Sequence, residues 1–540
     1  MKITLLITTF NSLSQKVYCY LKDSGFDVSV VYAINKEQMI REIDTILPDL
    51  VFSPFLKKYI PKEIFENYPT FVLHPGPKGD RGAYSLENVI YHDKKEWGVV
   101  ILKVDEKLDG GDIYKEVSFE VKSPYKASIY RNELSDSALN ATKEFFKSFK
   151  NQKPTPQLKL PMHEKLSTEN IKIDWQNDTT KEILKKINTL DSFPGVKDEI
   201  LGIECYLFGA WREEKLKGDP KEIVAKRDGA ICIGTIDGAV WISHLKEPHR
   251  FKLPATYVLK DKLAGVKEDR LPLLFDKSYA SFYETSVELK DEVAYLCFNF
   301  HNGAMSTAQC IRLKYCVDYL KVNCKVLVLV GGRDFFSNGI HLNILEDSQK
   351  QGEDGWANIN AMNDLISTIL FADEIVTVAS LAKNAGAGGV FMALACDFVV
   401  AKDGVVLNPH YKTLGLSGSE YHTFTLPKRV GEKKAKELLE ACLPISAKYA
   451  KEIGMVDEVY REAEYYEKLH QFCKKSYDDD FIWDKQEFLE ENRDKIEALK
   501  EKELSIMHPE FWDEESLFHK LRIEFVYKIC PTKTPKRFKG

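Results

Sequence analysis

The sequence predicts a multidomain α/β protein. At 540 residues the chain is long enough for two to four domains, and its hydrophobic content of 44% is ample for packed cores. Short apolar segments alternate with amphipathic helical ones over the first 150 residues and again after residue 290. This alternation indicates βαβ units and parallel sheets. Between the two regions, short strands follow one another directly, which indicates a small β-barrel-like domain.

The first region supplies the first candidate site. Strands are predicted at residues 2–9, 27–32 and 49–52, and helices at residues 11–23 and 36–47. No GxGxxG follows the first strand, so a dinucleotide fingerprint is absent. The strand at residues 70–73 ends at His74, and the strand at residues 98–104 precedes a turn that contains Asp109. A histidine and a carboxylate at adjacent strand ends can form a general acid/base pair.

Residues 50–114 resemble the folate-dependent formyltransferases. The shared motifs are a histidine before a proline-containing loop that ends in Arg81-Gly82-Ala83, and then Leu108-Asp109-Gly110-Gly111. The resemblance implies a Rossmann-type parallel sheet and catalytic roles for His74 and Asp109. It also implies a pocket for 10-formyl-tetrahydrofolate formed by Gly76, Pro77, Lys78, Asp80, Arg81 and Asp112.

The sequence departs from this family at one catalytic position. The family has an asparagine two residues before the histidine, where this chain has Val72, and the loop between His74 and Arg81 is one residue short. That asparagine helps to stabilise an oxyanion, so its absence favours a different formyl acceptor or a substitute donor, for which Asn11 is a candidate. The alternative is that both motifs are only a strand-ending turn and a hairpin turn.

The middle of the chain follows a proline- and lysine-rich stretch at residues 150–166, which we interpret as a linker. Ile173-Asp174-Trp175 and Pro194-Gly195 then resemble the C-terminal barrel of methionyl-tRNA formyltransferase. The barrel segment has no basic excess and the net charge of the chain is −6, so we expect a structural spacer and no nucleic-acid partner. The short basic end, Lys533 to Lys539, is interpreted as a solvated tail.

The second α/β region resembles the enoyl-CoA hydratase, or crotonase, superfamily from about residue 290 to 460. Phe336-Ser337-Asn338-Gly339-Ile340-His341-Leu342, Ala387-Gly388-Gly389 and Cys396-Asp397-Phe398 match its motifs. The resemblance implies an α/β spiral fold and a thioester oxyanion held by the backbone amides of Ile340 and Gly388. It also implies a coenzyme A site at Ser337, Asn338, Gly339 and Gly389. Small residues at a helix start suit that role, although they also permit close helix–strand packing.

Hydratase chemistry does not carry over to this chain. The two water-activating glutamates of the family fall at Phe391 and near His410. Because hydration needs two carboxylates to position water, the sequence argues against it. The nearby polar residues are His410, Tyr411, Glu420, Tyr421 and His422. Of these, Glu420 and Tyr411 are our acid/base candidates, with a structural hydrogen-bonding role as the alternative for each.

The remainder of the chain is predicted to be helical. Two helices at residues 431–458 complete a crotonase core, and residues 465–525 form a charged, aromatic extension that caps the site, docks between domains or is a solvated helix. We therefore expect four parts: a formyltransferase-like domain at 1–150, a barrel at 165–260, a crotonase-like domain at 280–460 and a helical extension at 461–540.

This domain combination resembles the HypX family of hydrogenase maturation factors. The resemblance implies that formyl is transferred from 10-formyl-tetrahydrofolate to coenzyme A, and that formyl-CoA is then decarbonylated to carbon monoxide for NiFe hydrogenase. It also implies hydrogenase maturation proteins as partners. The alternatives are a formyl-CoA hydrolase, a folate-dependent formyltransferase with a non-catalytic CoA-binding half, and a non-catalytic scaffold that binds folate and CoA.

Composition limits the setting in which we expect the protein to act. The 11 cysteines are scattered and no pair has CxxC spacing, which favours a reducing cytoplasm and argues against a metal site. We see no signal peptide, and no apolar run approaches the eighteen residues of a membrane span.

Overall fold

The computed structural model describes residues 1–158, 162–163, 165–275 and 277–538, and the chain folds into two compact units. The first unit comprises Met1–Arg270, Asp276–Phe282 and Cys530–Gly540. The second comprises Leu271–Phe275 and Tyr283–Ile529. The division into four parts expected from the sequence stays a prediction. Of the predicted linker, residues 159–161 and 164 lie outside the described residues, as does Lys539 of the predicted basic tail.

The N-terminal part of the first unit is built on a six-stranded sheet with the order β2-β1-β3-β4-β5-β6. Its strands are β1 (Lys2–Ile7), β2 (Asp27–Tyr32), β3 (Leu50–Ser53), β4 (Thr70–His74), β5 (Glu96–Lys103) and β6 (Ile113–Glu120). Its helices are α1 (Ser12–Asp23), α2 (Lys36–Ile46), α3 (Lys62–Asn67), α4 (Ser85–Tyr91), α5 (Lys126–Ile129) and α6 (Ser135–Ser148). Asn11 caps α1 by accepting a hydrogen bond from the backbone N–H of Ser14 at 3.0 Å, as residue type and position predict.

Strand direction differs from the prediction at one edge of this sheet. Strands β1 to β4 are parallel, as predicted, whereas β5 and β6 run antiparallel to their neighbours. The central residues of β5 are buried, and a continuous apolar run does not reveal direction. His74 and Asp109 therefore do not lie at two parallel strand ends, and the long turn between β5 and β6 brings them together.

The middle of the chain forms an antiparallel sheet within the same unit. The order is β7-β8-β11-β10-β9, with β12 beside β11. The strands are β7 (Val196–Ile200), β8 (Ile203–Glu213), β9 (Ile223–Arg227), β10 (Ala230–Gly234), β11 (Ala239–Lys246) and β12 (Leu253–Pro254). They are accompanied by α7 (Thr180–Thr189) and α8 (Ala255–Leu259). The side chain of Trp241 is fully buried here, and its indole N–H donates to Glu213 at 2.6 Å.

The second unit is built on a sheet with the order β13-β14-β16-β18-β20-β23, parallel except for β13. Its strands are β13 (Thr285–Lys290), β14 (Val293–Phe298), β15 (Ala304–Met305), β16 (Val326–Val330), β17 (Gly339–Ile340), β18 (Val376–Leu381), β19 (Ala385–Gly386), β20 (Phe398–Lys402), β21 (Val406–Asn408), β22 (Ile445–Ser446) and β23 (Glu458–Tyr460). The short strands form two further small sheets, β15-β17 and β19-β21-β22.

Ten helices described in this unit surround the sheet and form the C-terminal extension. They are α9 (Thr307–Leu320), α10 (Leu342–Asp347), α11 (Gln351–Leu370), α12 (Gly388–Leu394), α13 (His422–Val430), α14 (Glu432–Ala441), α15 (Ala447–Glu452), α16 (Tyr465–Ser476), α17 (Asp479–Trp512) and α18 (Leu517–Val526). Helix α16 buries Tyr465, Leu469 and Cys473 against Val326 and Val376 of the sheet, so this part of the extension belongs to the core. None of the described helices is both long and apolar enough to cross a membrane.

The last described residues return to the first unit. The hydroxyl of Thr534 accepts a hydrogen bond from the backbone N–H of Tyr32 in β2 at 3.0 Å. Phe538 is buried and packs edge-on against Phe10, with 4.8 Å between ring centroids. The interpretation of this end as a solvated tail is therefore wrong for these two residues, although the neighbouring Lys533, Lys536 and Arg537 are exposed.

We expect Phe538→Ala to lower the free energy of unfolding of the first unit by about 3 kcal/mol, because it leaves a cavity beside Phe10. Urea unfolding followed by fluorescence measures this change. The matched control is Cys530→Ala, since Cys530 is exposed in the same segment. Equal unfolding midpoints for the two variants would contradict the packing described here.

Candidate active sites

The two N-terminal motifs meet in the structure. The Nδ1 atom of His74, at the end of β4, lies 3.5 Å from Oδ2 of Asp109 in the turn between β5 and β6. The backbone N–H of Gly82 donates to the same carboxylate at 3.0 Å, and the guanidinium of Arg81 donates to the carbonyl oxygen of Leu108 at 2.7 Å. Asp109 has φ of 50°, in the left-handed region that non-glycine residues rarely adopt. The loop after His74 therefore holds the Asp109 turn in place.

Asp80 lies on the other side of the His74 ring. Its Oδ2 atom is 2.6 Å from Nε2 of His74, and its Oδ1 atom contacts Nε2 of His163. Burial alone would raise the pKa of Asp80, but hydrogen bonds from these imidazoles outweigh it, and the pKa is lowered. Asp80 is thus an ionised partner that orients His74. A Cβ on Gly76 would lie 1.9 Å from Asp80 Oδ2, so a side chain at this position would displace the Asp80 carboxyl from His74.

The other predicted folate-binding residues lie in the same loop and turn. The backbone N–H of Lys78 donates to Glu116 at 2.9 Å, Pro77 contacts Gly98, and Asp112 is exposed with its carbonyl oxygen bound to Lys103. These contacts hold the loop and turn in shape. Folate binding by these residues stays a prediction.

Val72, which replaces the asparagine of the formyltransferases, lies in an apolar cluster. Val72 packs against Val100, Leu102 and Ile113, and offers no donor. The proposed substitute, Asn11, donates from its side-chain amide to the Tyr130 hydroxyl at 2.8 Å and caps α1 with its oxygen. Both polar groups of Asn11 therefore have partners other than His74.

His163 is a site residue that sequence reasoning missed. It lies in the stretch interpreted as a linker, about a third of its side chain is exposed, and its ring centroid is 6.3 Å from that of Trp97. A single histidine in a proline- and lysine-rich stretch carries no spacing signal, so only the folded chain reveals its contact with Asp80.

In the second unit, the two predicted oxyanion-hole segments also come together. Gly339 and Ile340 form β17, and Gly388 begins α12 after Ala387, whose φ is 46°. A Cβ on Gly339 would lie 3.2 Å from the backbone nitrogen of Gly388, so the two glycines touch. A Cβ on Gly388 would lie 2.8 Å from Oε1 of Glu420. The Glu420 carboxyl therefore lies beside the Gly388 amide.

The predicted CoA-binding residues are held by internal contacts. The hydroxyl of Ser337 accepts from the N–H of Gly339 at 3.1 Å, and the side-chain amide of Asn338 donates to the carbonyl oxygen of Asn302 at 2.7 Å. A Cβ on Gly389 would lie 2.2 Å from the carbonyl oxygen of Ser337, so this glycine permits close packing. Contact of these residues with CoA stays a prediction.

Glu420 and Tyr411, the two predicted acid/base residues, form a buried hydrogen-bonded pair. The Tyr411 hydroxyl lies 2.5 Å from Oε2 of Glu420, to which it donates, and the backbone N–H of Glu420 donates to Oδ1 of Asn363 at 3.1 Å. Burial raises the pKa of the Glu420 carboxyl and, together with the Glu420 charge, raises the pKa of Tyr411 well above its usual value. Glu420 and Tyr421 have φ of 63° and 56°, so this loop stores backbone strain.

The position of one hydratase glutamate is filled by an aromatic ring. Phe391 stacks on Tyr411, with ring centroids 5.1 Å apart, and lies edge-on to His422. The other candidates have separate partners: the Tyr421 hydroxyl donates to Glu497 at 2.9 Å, and Nδ1 of His422 is 3.2 Å from Glu503. This pocket therefore presents one tyrosine-bound carboxyl beside the glycine pair.

Comparisons with known proteins identify a formyltransferase-like region and an enoyl-CoA hydratase-like region in the chain. Residues 165–262 match the formyl transferase C-terminal domain, and residues 301–501 match the enoyl-CoA hydratase/isomerase family. The whole chain is 35% identical to the hydrogenase maturation factor HoxX of Bradyrhizobium diazoefficiens and covers 97% of that protein. The crystal structure of HypX from Aquifex aeolicus in complex with tetrahydrofolic acid has a TM-score of 0.96 and 41% identity, covering 100% of this chain and 98% of that one.

This chain belongs to the HypX family of hydrogenase maturation factors. Membership in the HypX family confirms the predicted fold class, with formyltransferase-like and crotonase-like domains and a helical C-terminal extension. The first half is also similar to methionyl-tRNA formyltransferase of Pseudothermotoga lettingae, at 26% identity over 42% of this chain and 76% of that enzyme.

The pKa of Glu420 yields a prediction for this member of the HypX family. Because the folded state raises that pKa above its ordinary value of 4.5, ionisation of Glu420 costs stability as pH rises through the raised pKa. We expect Glu420→Gln, which is neutral at every pH, to stabilise the protein by about 0.5–2 kcal/mol at pH 8, and by less at pH 5. Thermal unfolding at both pH values measures the difference. Glu432→Gln, at an exposed position, is the control, and a Glu420→Gln variant less stable than wild type at pH 8 would contradict the prediction.

Proposed function

We propose that this protein makes carbon monoxide for the maturation of NiFe hydrogenase. In this proposal, formyl is transferred from 10-formyl-tetrahydrofolate to the thiol of CoA, and formyl-CoA then loses carbon monoxide. The observation that carries the proposal is the presence of two separate acid/base groups, one built on His74 and the other on Glu420 beside Gly388. Family membership and the tetrahydrofolic acid bound by the Aquifex aeolicus relative support it.

The first step exchanges one bond to the formyl carbon for another. The CoA sulfur attacks the formyl carbon, the bond to N10 of the folate breaks, and the thiol proton ends on N10. His74 and Asp109 would accept this proton and return it, while Asp80 holds the imidazole in the required orientation. A thiol loses its proton more readily than most amines, which suits a site that has Val72 in place of the asparagine.

The second step removes the formyl proton and breaks the bond to sulfur. The Ile340 and Gly388 amides would hold the carbonyl oxygen, and the Glu420 carboxylate would take the formyl proton as the C–S electrons move to sulfur. The thiolate then regains a proton from the Tyr411–Glu420 pair, so the step is balanced: formyl-CoA gives carbon monoxide and CoA. A raised pKa makes Glu420 a stronger base than an ordinary glutamate.

The proposal is tested by incubating the protein with 10-formyl-tetrahydrofolate and CoA and measuring carbon monoxide with a haem reporter. We expect carbon monoxide and tetrahydrofolate in equal amounts, and none without CoA. His74→Ala should abolish carbon monoxide formation from the folate but not from supplied formyl-CoA, because only the first step uses His74. Glu420→Gln should abolish it from both substrates.

The alternatives predict different products. A hydrolase or a formyltransferase with a non-catalytic second half would release tetrahydrofolate with formate or formyl-CoA and no carbon monoxide, and a scaffold would release none of these. His249→Ala and Glu432→Gln, at exposed positions, are the matched controls and should retain activity.

We expect Asp80→Asn to reduce CoA-dependent release of tetrahydrofolate by roughly 10²–10⁴-fold, because the neutral amide no longer orients His74 as a carboxylate does. Decarbonylation of supplied formyl-CoA by the same variant should be unchanged. Steady-state rates for the two half-reactions measure this split. Asp93→Asn, which removes a surface partner of Lys185, is the control, and an equal loss in both half-reactions would indicate misfolding rather than a role for Asp80.

A further inference from the structure

Helix α17 contacts the loop that carries Glu420 through three carboxylates. Glu497 accepts from the Tyr421 hydroxyl at 2.9 Å. Glu503 accepts from the backbone N–H and the hydroxyl of Thr423 at 2.7 and 2.5 Å. Glu510 accepts from the backbone N–H and the hydroxyl of Ser417 at 3.0 and 3.2 Å. We call these three residues the carboxylate clamp.

Two members of the clamp lie beyond the family module. The match to the enoyl-CoA hydratase/isomerase family ends at residue 501, before Glu503 and Glu510. These two residues are seven positions apart, which is two helical turns, so they project from the same face of α17. The extension therefore contributes ordered side chains to the loop next to the glycine pair.

Glu503 is a buried carboxylate, and its hydrogen bonds to Thr423 do not explain why a carboxylate is needed there. It is buried, and among the described residues its Oε2 atom has no hydrogen-bond partner. Burying a carboxylate with an unsatisfied oxygen is costly, and a glutamine would anchor Thr423 equally well through its own oxygen. The charge itself is thus the property to be explained.

The surroundings of Glu503 point to Glu420. Nδ1 of His422 lies 3.2 Å from Oε1 of Glu503 and 3.1 Å from the carbonyl oxygen of Ser419, which also accepts from the Tyr411 hydroxyl at 3.1 Å. Five consecutive residues, 419–423, therefore carry both the Glu420–Tyr411 pair and the Glu503–His422 pair.

We propose that Glu503 is a positioning residue of the crotonase-like pocket, whose buried charge, contributed by the C-terminal helix, keeps Glu420 basic enough to take the formyl proton. This proposal rests on the proposed function, because it concerns decarbonylation. Among the described residues, the titratable groups that interact electrostatically with Glu420 include Tyr411 and His422 from its own segment, Cys310 from α9 and Glu503 from α17.

The sign of the effect follows from the charges. Burial raises the pKa of Glu420, hydrogen bonding by Tyr411 and the charge of His422 oppose this rise, and the charge of Glu503 adds to it. Removing the charge of Glu503 therefore lowers the pKa of Glu420. The decarbonylation rate should fall at low pH as Glu420 becomes protonated and inactive, and we call this fall the acid limb of the pH–rate profile. Without the charge of Glu503, the acid limb should move to lower pH.

The experiment measures carbon monoxide release from supplied formyl-CoA as a function of pH in four proteins: wild type, Glu503→Gln, Glu503→Asp and Glu510→Gln. We expect the acid limb of Glu503→Gln to move down by roughly half a pH unit to one unit. Glu503→Asp keeps the charge and should keep the wild-type limb. Glu510→Gln removes a carboxylate from the same face of the same helix, and its amide oxygen can still accept from Ser417, so this variant should keep the wild-type limb.

An acid limb that stays at the wild-type position in Glu503→Gln, or that moves equally in Glu510→Gln, would overturn the proposal. If the wild-type protein releases no carbon monoxide at any pH, the proposed function fails. An infrared titration of the Glu420 carboxyl still decides whether Glu503 raises the pKa of Glu420. The band lost in Glu420→Gln identifies that carboxyl. In Glu503→Gln it should then titrate at lower pH than in wild type, and an unchanged titration would overturn the proposal.

Discussion

A carboxylate that leaves water must find hydrogen-bond donors or become a stronger base, and both sites of this protein depend on that constraint. In the first unit, Asp80 is buried with imidazole donors on both oxygens, and its pKa is lowered. In the second, Glu420 has the phenol of Tyr411 as a donor and a second buried carboxylate nearby, and its pKa is raised. The Asp80 carboxylate is suited to orienting His74 as a base, and the Glu420 carboxylate is suited to acting as a base itself.

Residues with a strained backbone occur at both sites as well as elsewhere in the chain. Asp109, Ala387, Glu420 and Tyr421 all have positive φ without being glycine. Such conformations cost about 1–3 kcal/mol each and persist only where the surrounding contacts maintain them. Here those contacts are visible: Gly82 holds Asp109, Asn363 holds the backbone of Glu420, and Glu497 holds the hydroxyl of Tyr421. These contacts hold the three residues in backbone conformations that an isolated loop would rarely adopt.

Patterns within a short stretch of the sequence predict most helices and strands. Contacts between residues far apart in the sequence are predicted poorly. The ends of α1 and β2 follow from the Asn11 cap and from apolar runs, and the meeting of His74 with Asp109 follows from motif positions. The direction of β5 does not, because a strand buried on both faces has the same pattern in either direction. His163 and Glu503 were missed for a related reason. Each contacts residues about eighty positions away, and spacing along the chain cannot encode such contacts.

The return of residues 530–538 to the first unit has a consequence for how the protein is made. Domains generally fold in order as they leave the ribosome, N-terminal first. Here the first unit gains the packing of Phe538 and the hydrogen bond to Thr534 only after residues 530–538 have been synthesised. During synthesis of the second unit, Phe10 and the edge strand β2 therefore lack their contacts with Phe538 and Thr534. A nonsense mutation at codon 530 would leave the second unit whole and weaken the first unit, whose other residues precede it in the sequence.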